Sequence, residues 1–185
     1  MLIRRFFSLT VLLLMTVGVP AGAGQGNLRL DGLFHALRSA TDAAYAESVE
    51  EHIWDFWLEH PDPAMVRDMR AGVLSLNGDD YQSALRAFDS AVARDPSYAE
   101  GWNKRAATHY MIGDYTAAMI DLRHALLLEP RHFGALVELG LVYLALGDEK
   151  PALRAFDAAL AINPHLDHVR AQAESIRRRP AGIAL

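Results

Sequence analysis

No cysteine occurs among the 185 residues. That excludes disulfides, thiolate metal sites, a cysteine nucleophile and lipidation of an amino-terminal cysteine in one step. Serines are few, and none sits in a nucleophile elbow or at a workable spacing from a histidine and an aspartate. A glycine-rich phosphate loop is also missing, because Gly22, Gly24 and Gly26 precede no strand pattern. Acidic residues are spread along the chain rather than paired. The formal charge of -5 argues against the basic stripe that a nucleic acid partner requires. Past the first two dozen residues, no segment has the length or continuity of a membrane-spanning helix.

That first stretch is set apart from the rest. Arg4 and Arg5 form a positive start, Leu9 to Val19 an apolar run, and Pro20 breaks it before Ala21-Gly22-Ala23. The pattern predicts a secretory signal peptide over residues 1–23, cut after Ala23. The remaining chain is then expected to be exported across an inner membrane and to reside in the periplasm. The alternative is an anchor held in that membrane by the uncleaved segment.

What is present in the remainder is a period. Pro96, Pro130 and Pro164 stand 34 residues apart. Ala84, Ala118 and Ala152 precede them at one fixed offset, and Ala91, Ala125 and Ala159 at another. Phe88, Leu122 and Phe156 lie between those alanines, and Gly72, Ala106 and Gly140 recur further upstream. Such a period marks stacked helical hairpins. Asn77-Gly78-Asp79-Asp80, Gly113-Asp114 and Gly147-Asp148 supply the turns, with glycine ending one helix in the left-handed conformation and aspartate capping the next. Proline at Asp95-Pro96, Glu129-Pro130 and Asn163-Pro164 stops one helix and starts another; Asp62-Pro63 does the same before the first copy.

These residues resemble tetratricopeptide repeats over 65–98, 99–132 and 133–166. The middle copy carries Trp102, Ala106, Gly113-Asp114-Tyr115, Ala118, Leu122, Ala125 and Pro130. The third carries Leu136, Leu139-Gly140, Tyr143, Gly147-Asp148, Ala152, Phe156, Ala159 and Pro164. The first departs from the pattern at Asp68 and Ala71. The resemblance implies an all-α fold, a right-handed α-solenoid of antiparallel hairpins. Residues 24–60 read as a degenerate fourth hairpin: Leu30, Leu33, Phe34 and Leu37 form one apolar stripe, Ile53, Trp54 and Trp57 another, with Thr41-Asp42 as break and cap. Moved back one period, Trp54 falls on the Phe88 position, and the hairpin is expected to shield the bare first face of the stack. Residues 167–179 are expected to form a polar capping helix with Val169, Ala173 and Ile176 inward. Residues 180–185 form a tail.

The family's concave groove is lined by the first helices of the hairpins. Carried over, its positions are Val66, Met69, Val73 and Asn77 in the first copy, Asn103, Ala107, Tyr110 and Met111 in the second, and Val137, Leu141 and Leu144 in the third. That surface is mainly apolar, which suits an adaptable protein or peptide partner. Chaperone adaptors of this fold clamp an acidic carboxyl terminus with cations and asparagine; the matching places here hold Met69, Val73, Lys104, Gly134 and Glu138, so the clamp is missing. The expected function is a non-enzymatic interaction scaffold of the cell envelope that binds an apolar peptide or helix. The alternative is a metal- or small-molecule-binding accessory protein using surface histidines, with His165 and His168 the nearest pair. No catalytic residue, cofactor or metal site is assigned. One departure stands out: Arg105 and Asp121 are charged only in the middle copy, at positions that face each other across the hairpin in this family, which predicts a structural ion pair.

Overall fold

The computed structural model describes residues 28–178, so the expected signal segment and tail lie outside the described residues. Every element among the described residues is an α-helix: α1 Leu28–Ser39, α2 Ala43–Leu58, α3 Pro63–Asn77, α4 Tyr81–Arg94, α5 Ala99–Met111, α6 Tyr115–Leu128, α7 Phe133–Ala145, α8 Glu149–Ile162 and α9 Asp167–Arg178. Their ends follow from side chains that accept the free amide hydrogens of a first turn. The carboxylates of Asp42, Asp62, Asp80 and Asp114 accept from the amides of Tyr45, Ala64, Ser83 and Ala117. Asp148 precedes α8 without such a bond. Gly113 and Gly147 take the left-handed conformation at φ 80° and 81°. In the first turn that role falls to Asp79 at φ 59°, whereas Gly78 stays at -94°. The glycine expected to bend the chain there does not. Aspartate is among the few residues that tolerate this region.

Three hairpins follow in register, α3 with α4, α5 with α6 and α7 with α8. The small and large residues of the period are matched partners. A Cβ at Gly72 would overlap the ring of Phe88, and one at Gly140 would overlap the ring of Phe156. In the middle copy both change together: Ala106 stands with the smaller Leu122, in one core with Ala118 and Ala125. Interiors packed to crystal density enforce such pairing.

The hairpin formed by α1 and α2 does not extend the stack. No residue of it enters the core formed by Met65, Met69, Ala84, Phe88 and Tyr98. Its Leu30, Phe34, Leu37, Ile53 and Trp57 share a core with Phe133, Leu166, Val169, Ala173 and Ile176, toward the other end of the molecule. Polar ties agree. Asn163 Nδ2 donates to Glu50 Oε2 at 2.8 Å, the ring of His165 lies 3.0 Å from the carbonyl oxygen of Leu37, and Arg131 pairs with Asp31. The expectation that this hairpin shields the first repeat is therefore corrected. Its apolar stripes are buried, but α7, α8 and α9 bury them. Trp54 likewise does not fill the Phe88-like place inside its own hairpin; it lies half-buried over Gly134.

Candidate functional site

The first helices α3, α5 and α7 line the concave face, and α2 runs across part of it. A Cβ on Gly134 would overlap the indole of Trp54, so glycine lets α2 approach α7. The Trp57 indole stacks on the imidazole of His132, with ring centroids 4.1 Å apart and planes 11° from parallel. Phe133 meets both indoles at 5.1–5.4 Å. Lys104 Nζ stands 5.5 Å from the Trp54 ring, within the range of a cation–π contact.

Beneath the tryptophans lies a buried polar floor. His132 and Asn103 are 0 % exposed and Glu100 1 %. His132 Nδ1 accepts from the amide of Ala135, capping α7, which leaves Nε2 to donate to Glu100 Oε2 at 2.8 Å. Lys104 Nζ pairs with Glu100 Oε1 at 3.1 Å. Burial works to raise the Glu100 carboxyl, but the His132 hydrogen bond and the Lys104 charge outweigh it and hold the group below its ordinary range. For Lys104, the charges of Glu100 and Glu138 outweigh burial and raise the ammonium. Glu138 is different. Its Oε2 is buried without a hydrogen-bond partner. Burial pushes its carboxyl up to about 8, against the pull of Lys104 and with added repulsion from Glu100.

That gives a pH dependence with a definite sign. A carboxyl raised by folding keeps its proton in the folded chain while the unfolded chain has lost it. Stability contributed at Glu138 therefore falls as pH climbs from the unfolded value, about 4.3, to about 8, then levels off. Glu100 acts at the acid end, where stability is lost as pH falls below its unfolded value. Thermal melts should show the Glu138→Gln variant losing less stability than the parent between about pH 5 and about pH 9; parallel slopes would contradict the assignment.

The groove residues divide into three groups. Asn103 is buried and donates to Glu100 at 3.3 Å, and Met69 is buried in the core beside Phe88 and Tyr98. Neither is available to a partner. Val137, Leu141 and Leu144 are half-buried against the core that α1 and α2 share. Val66, Asn77 and Met111 are exposed, and Val73, Ala107 and Tyr110 half-exposed. Val66 apart, near the start of α3, the open surface is the part of the concave face nearest the turns, with Met111 52 % exposed and Tyr110 against Tyr115.

Arg105 and Asp121 meet in a two-pronged pair, Nε to Oδ2 and Nη2 to Oδ1, both 2.8 Å. Arg105 Nη1 also reaches Asp89 at 2.7 Å, and its guanidinium lies over Trp102. The hydrogen bond that Arg105 donates to Asp121 leads the effects that raise its guanidinium. His165 and His168 border one cavity beside Glu47, Glu50 and Glu51 of α2. His165 precedes α9 and faces Leu37, while His168 is exposed on α9. Among the described residues no three His, Asp or Glu stand together to hold a metal. The repeat pattern assigns His132 no role beyond its place at the joint after Pro130. The one available signal was Gly134, small at a place where the other copies carry Val66 and Glu100.

Comparison with known proteins fits this geometry. Residues 70–126 match the tetratricopeptide repeat family, and residues 133–166 match it again. A TPR repeat-containing protein of Rhizobium etli is 29% identical, covering 96% of this chain and 97% of the relative. Tetratricopeptide repeat protein 36 of Danio rerio is 32% identical over 55% of this chain and 58% of its own length. Among solved structures, the Arabidopsis OM64 TPR domain superposes with a TM-score of 0.60 at 20% identity, covering 62% of this chain and 95% of that domain. The first TPR of Spaghetti (RPAP3), bound to the HSP90 peptide SRMEEVD, gives 0.60 at 16% identity over 62% and 91%.

Proposed function

Because this chain carries tetratricopeptide repeats, we propose that it is a non-enzymatic scaffold that binds an apolar helix or peptide on its concave face. The observation that carries this reading is α2 itself. An amphipathic helix already lies across α5 and α7, with Trp54 on Gly134 and Trp57 on His132. The face thus accepts a helix through aromatic anchors, the residue types that dominate protein interfaces.

The solved neighbours that hold chaperone peptides suggest the mode of use but not the ligand. Lys104 is the one cation at a clamp position, and Glu100 already engages it. An acidic carboxyl terminus would therefore meet Glu100 and Glu138 instead of free donors. The partner expected here is apolar, seated on Val73, Ala107, Tyr110 and Met111 beyond the edge of α2. The amino-terminal pattern of Arg4, Arg5, the apolar run and Ala21-Gly22-Ala23 supports a role for this scaffold in the cell envelope. Among the described residues no helix is long and apolar enough to cross a membrane.

Displayed libraries of amphipathic helical peptides, panned against the protein, test the reading. Selected binders should be lost on the Tyr110→Glu, Ala107→Glu double variant, which alters the open surface and leaves the buried floor intact. Binders that this variant retains would remove the concave face as the site.

A further inference from the structure

A second kind of site lies where α2 ends. A partly open cavity of about 140 Å³ lies between that end and the joints before α5 and α7. At ~30 Å³ per water it has room for roughly four or five waters, or one small organic molecule. Phe56, Trp57 and Tyr98 supply aromatic walls, and Glu59, Asp95 and Glu129 line it with carboxylates. Phe56, Glu59, His60 and Pro61 also border an open cleft outside, which gives the chamber an entrance.

Two polar atoms in these walls have no partner. Trp57 Nε1 and the Tyr98 hydroxyl are both buried and unbonded, on residues 6 % and 7 % exposed. Leaving such groups dry costs free energy, so each calls for an occupant. The indole nitrogen only donates and needs an acceptor, while the phenol can give or take. The surroundings are acidic. Asp95 is engaged by His60 and Ser97, Glu129 by Arg131, and Glu100, also at the wall, by His132 and Lys104. Each carboxylate keeps lone pairs beyond those bonds. Burial and the charges of Glu100 and Asp95 push the Tyr98 hydroxyl above its usual range, as expected where the local potential is negative.

We propose that this cavity binds a short amino alcohol, its ammonium held by the aromatic walls and carboxylates and its hydroxyl oxygen accepting from Trp57 Nε1. Aromatic faces attract ammonium groups when water is excluded. The cluster of carboxylates disfavours any ligand that also carries an anion, such as a zwitterionic amino acid or the phosphoester form of the same alcohol. A free amino alcohol, not a phospholipid headgroup, is the class that fits. The site is separate from the open concave surface and does not depend on how that surface is used.

The probes are ethanolamine and choline, titrated against the full chain while the indole N–H resonances of its three tryptophans are followed by NMR. One indole N–H should shift saturably, assigned to Trp57 by its loss in Trp57→Phe. Tetramethylammonium lacks the oxygen, 3,3-dimethylbutanol lacks the charge, and phosphocholine adds an anion; each should bind about tenfold more weakly or worse, the equivalent of one net hydrogen bond. Tyr98→Phe keeps the ring and removes the phenol oxygen that would accept from the ligand's O–H, an atom without a partner in the free protein, so it should fold at least as well and bind about tenfold more weakly. Glu59→Gln, at the exposed rim, should weaken both amino alcohols without changing the melt. No saturable shift with either amino alcohol would overturn the proposal, leaving a cavity filled by water. Equal binding of 3,3-dimethylbutanol would overturn the charge assignment, and equal binding of phosphocholine the assignment to a free alcohol.

Discussion

Replacing Trp57 with alanine should cost about 3–5 kcal/mol, and hydrogen exchange should place the loss in α1 and α2 before the repeats. The indole is 6 % exposed, stacked on His132, and in ring contact with Trp54 at 5.1 Å, Phe133 at 5.1 Å and Phe34 at 6.0 Å. It belongs to the core that joins the amino-terminal hairpin to the rest of the chain. Truncation removes both the transfer energy of the ring and the contacts of every atom around it. The hairpin α3–α4 has a core separate from that of Trp57, and so does α5–α6, whose core takes in Ala135 and Val142 of α7. A stack of repeats loses stability unit by unit, so these should remain protected when α1 and α2 open. Uniform loss of protection along the chain would show that the hairpin is integral to the repeats rather than laid upon them.

Arg105→Ala should be nearly as costly, about 3–5 kcal/mol, although the residue is partly exposed. The cost arises at its partner. The Asp121 side chain is 3 % exposed and receives two guanidinium bonds. With Arg105 gone, the imidazole of His109, with Nε2 at 3.8 Å, is the nearest group left beside it. A buried carboxylate stripped of its partner is penalised far more than a pair is rewarded. Asp121→Ala should be milder, about 1–3 kcal/mol, because Arg105 keeps Asp89 and a fifth of its surface in water. The double variant Arg105→Ala, Asp121→Ala should recover much of the loss. Urea melts that rank Asp121→Ala as worse than Arg105→Ala would reverse this assignment of cost.

The repeats were legible because each local rule pointed the same way. Proline at the joints, aspartate at the caps and paired small and large residues such as Gly72 with Phe88 carry their meaning within one hairpin. The charged pair was legible for the same reason, since 105 and 121 face each other across a single turn. The placement of α1 and α2 was not. A stripe such as Leu30, Phe34 and Leu37 states that a face is buried, but not against which element. Continuity of the period suggested the neighbouring hairpin, and the helices crossed to α7 and α9 instead. Met69 and Asn103 were misread as groove residues by the same limitation. The groove positions carry over a direction, whereas burial depends on Tyr98 beside one and on the covering hairpin above the other. Asp79 escaped because a glycine stood next to it.

We propose the concave face as a helix-binding surface, held in part by the chain's own α2. Binding of a labelled peptide spanning residues 43–58 to the full-length Trp54→Ala, Trp57→Ala variant tests it most directly. With its own anchors removed, that variant should take up the peptide saturably at one site, and a further Gly134→Leu substitution, which occupies the place of the Trp54 ring, should abolish uptake. Absence of binding to the first variant while α3 to α8 remain folded, or equal binding after Gly134→Leu, would contradict the claim.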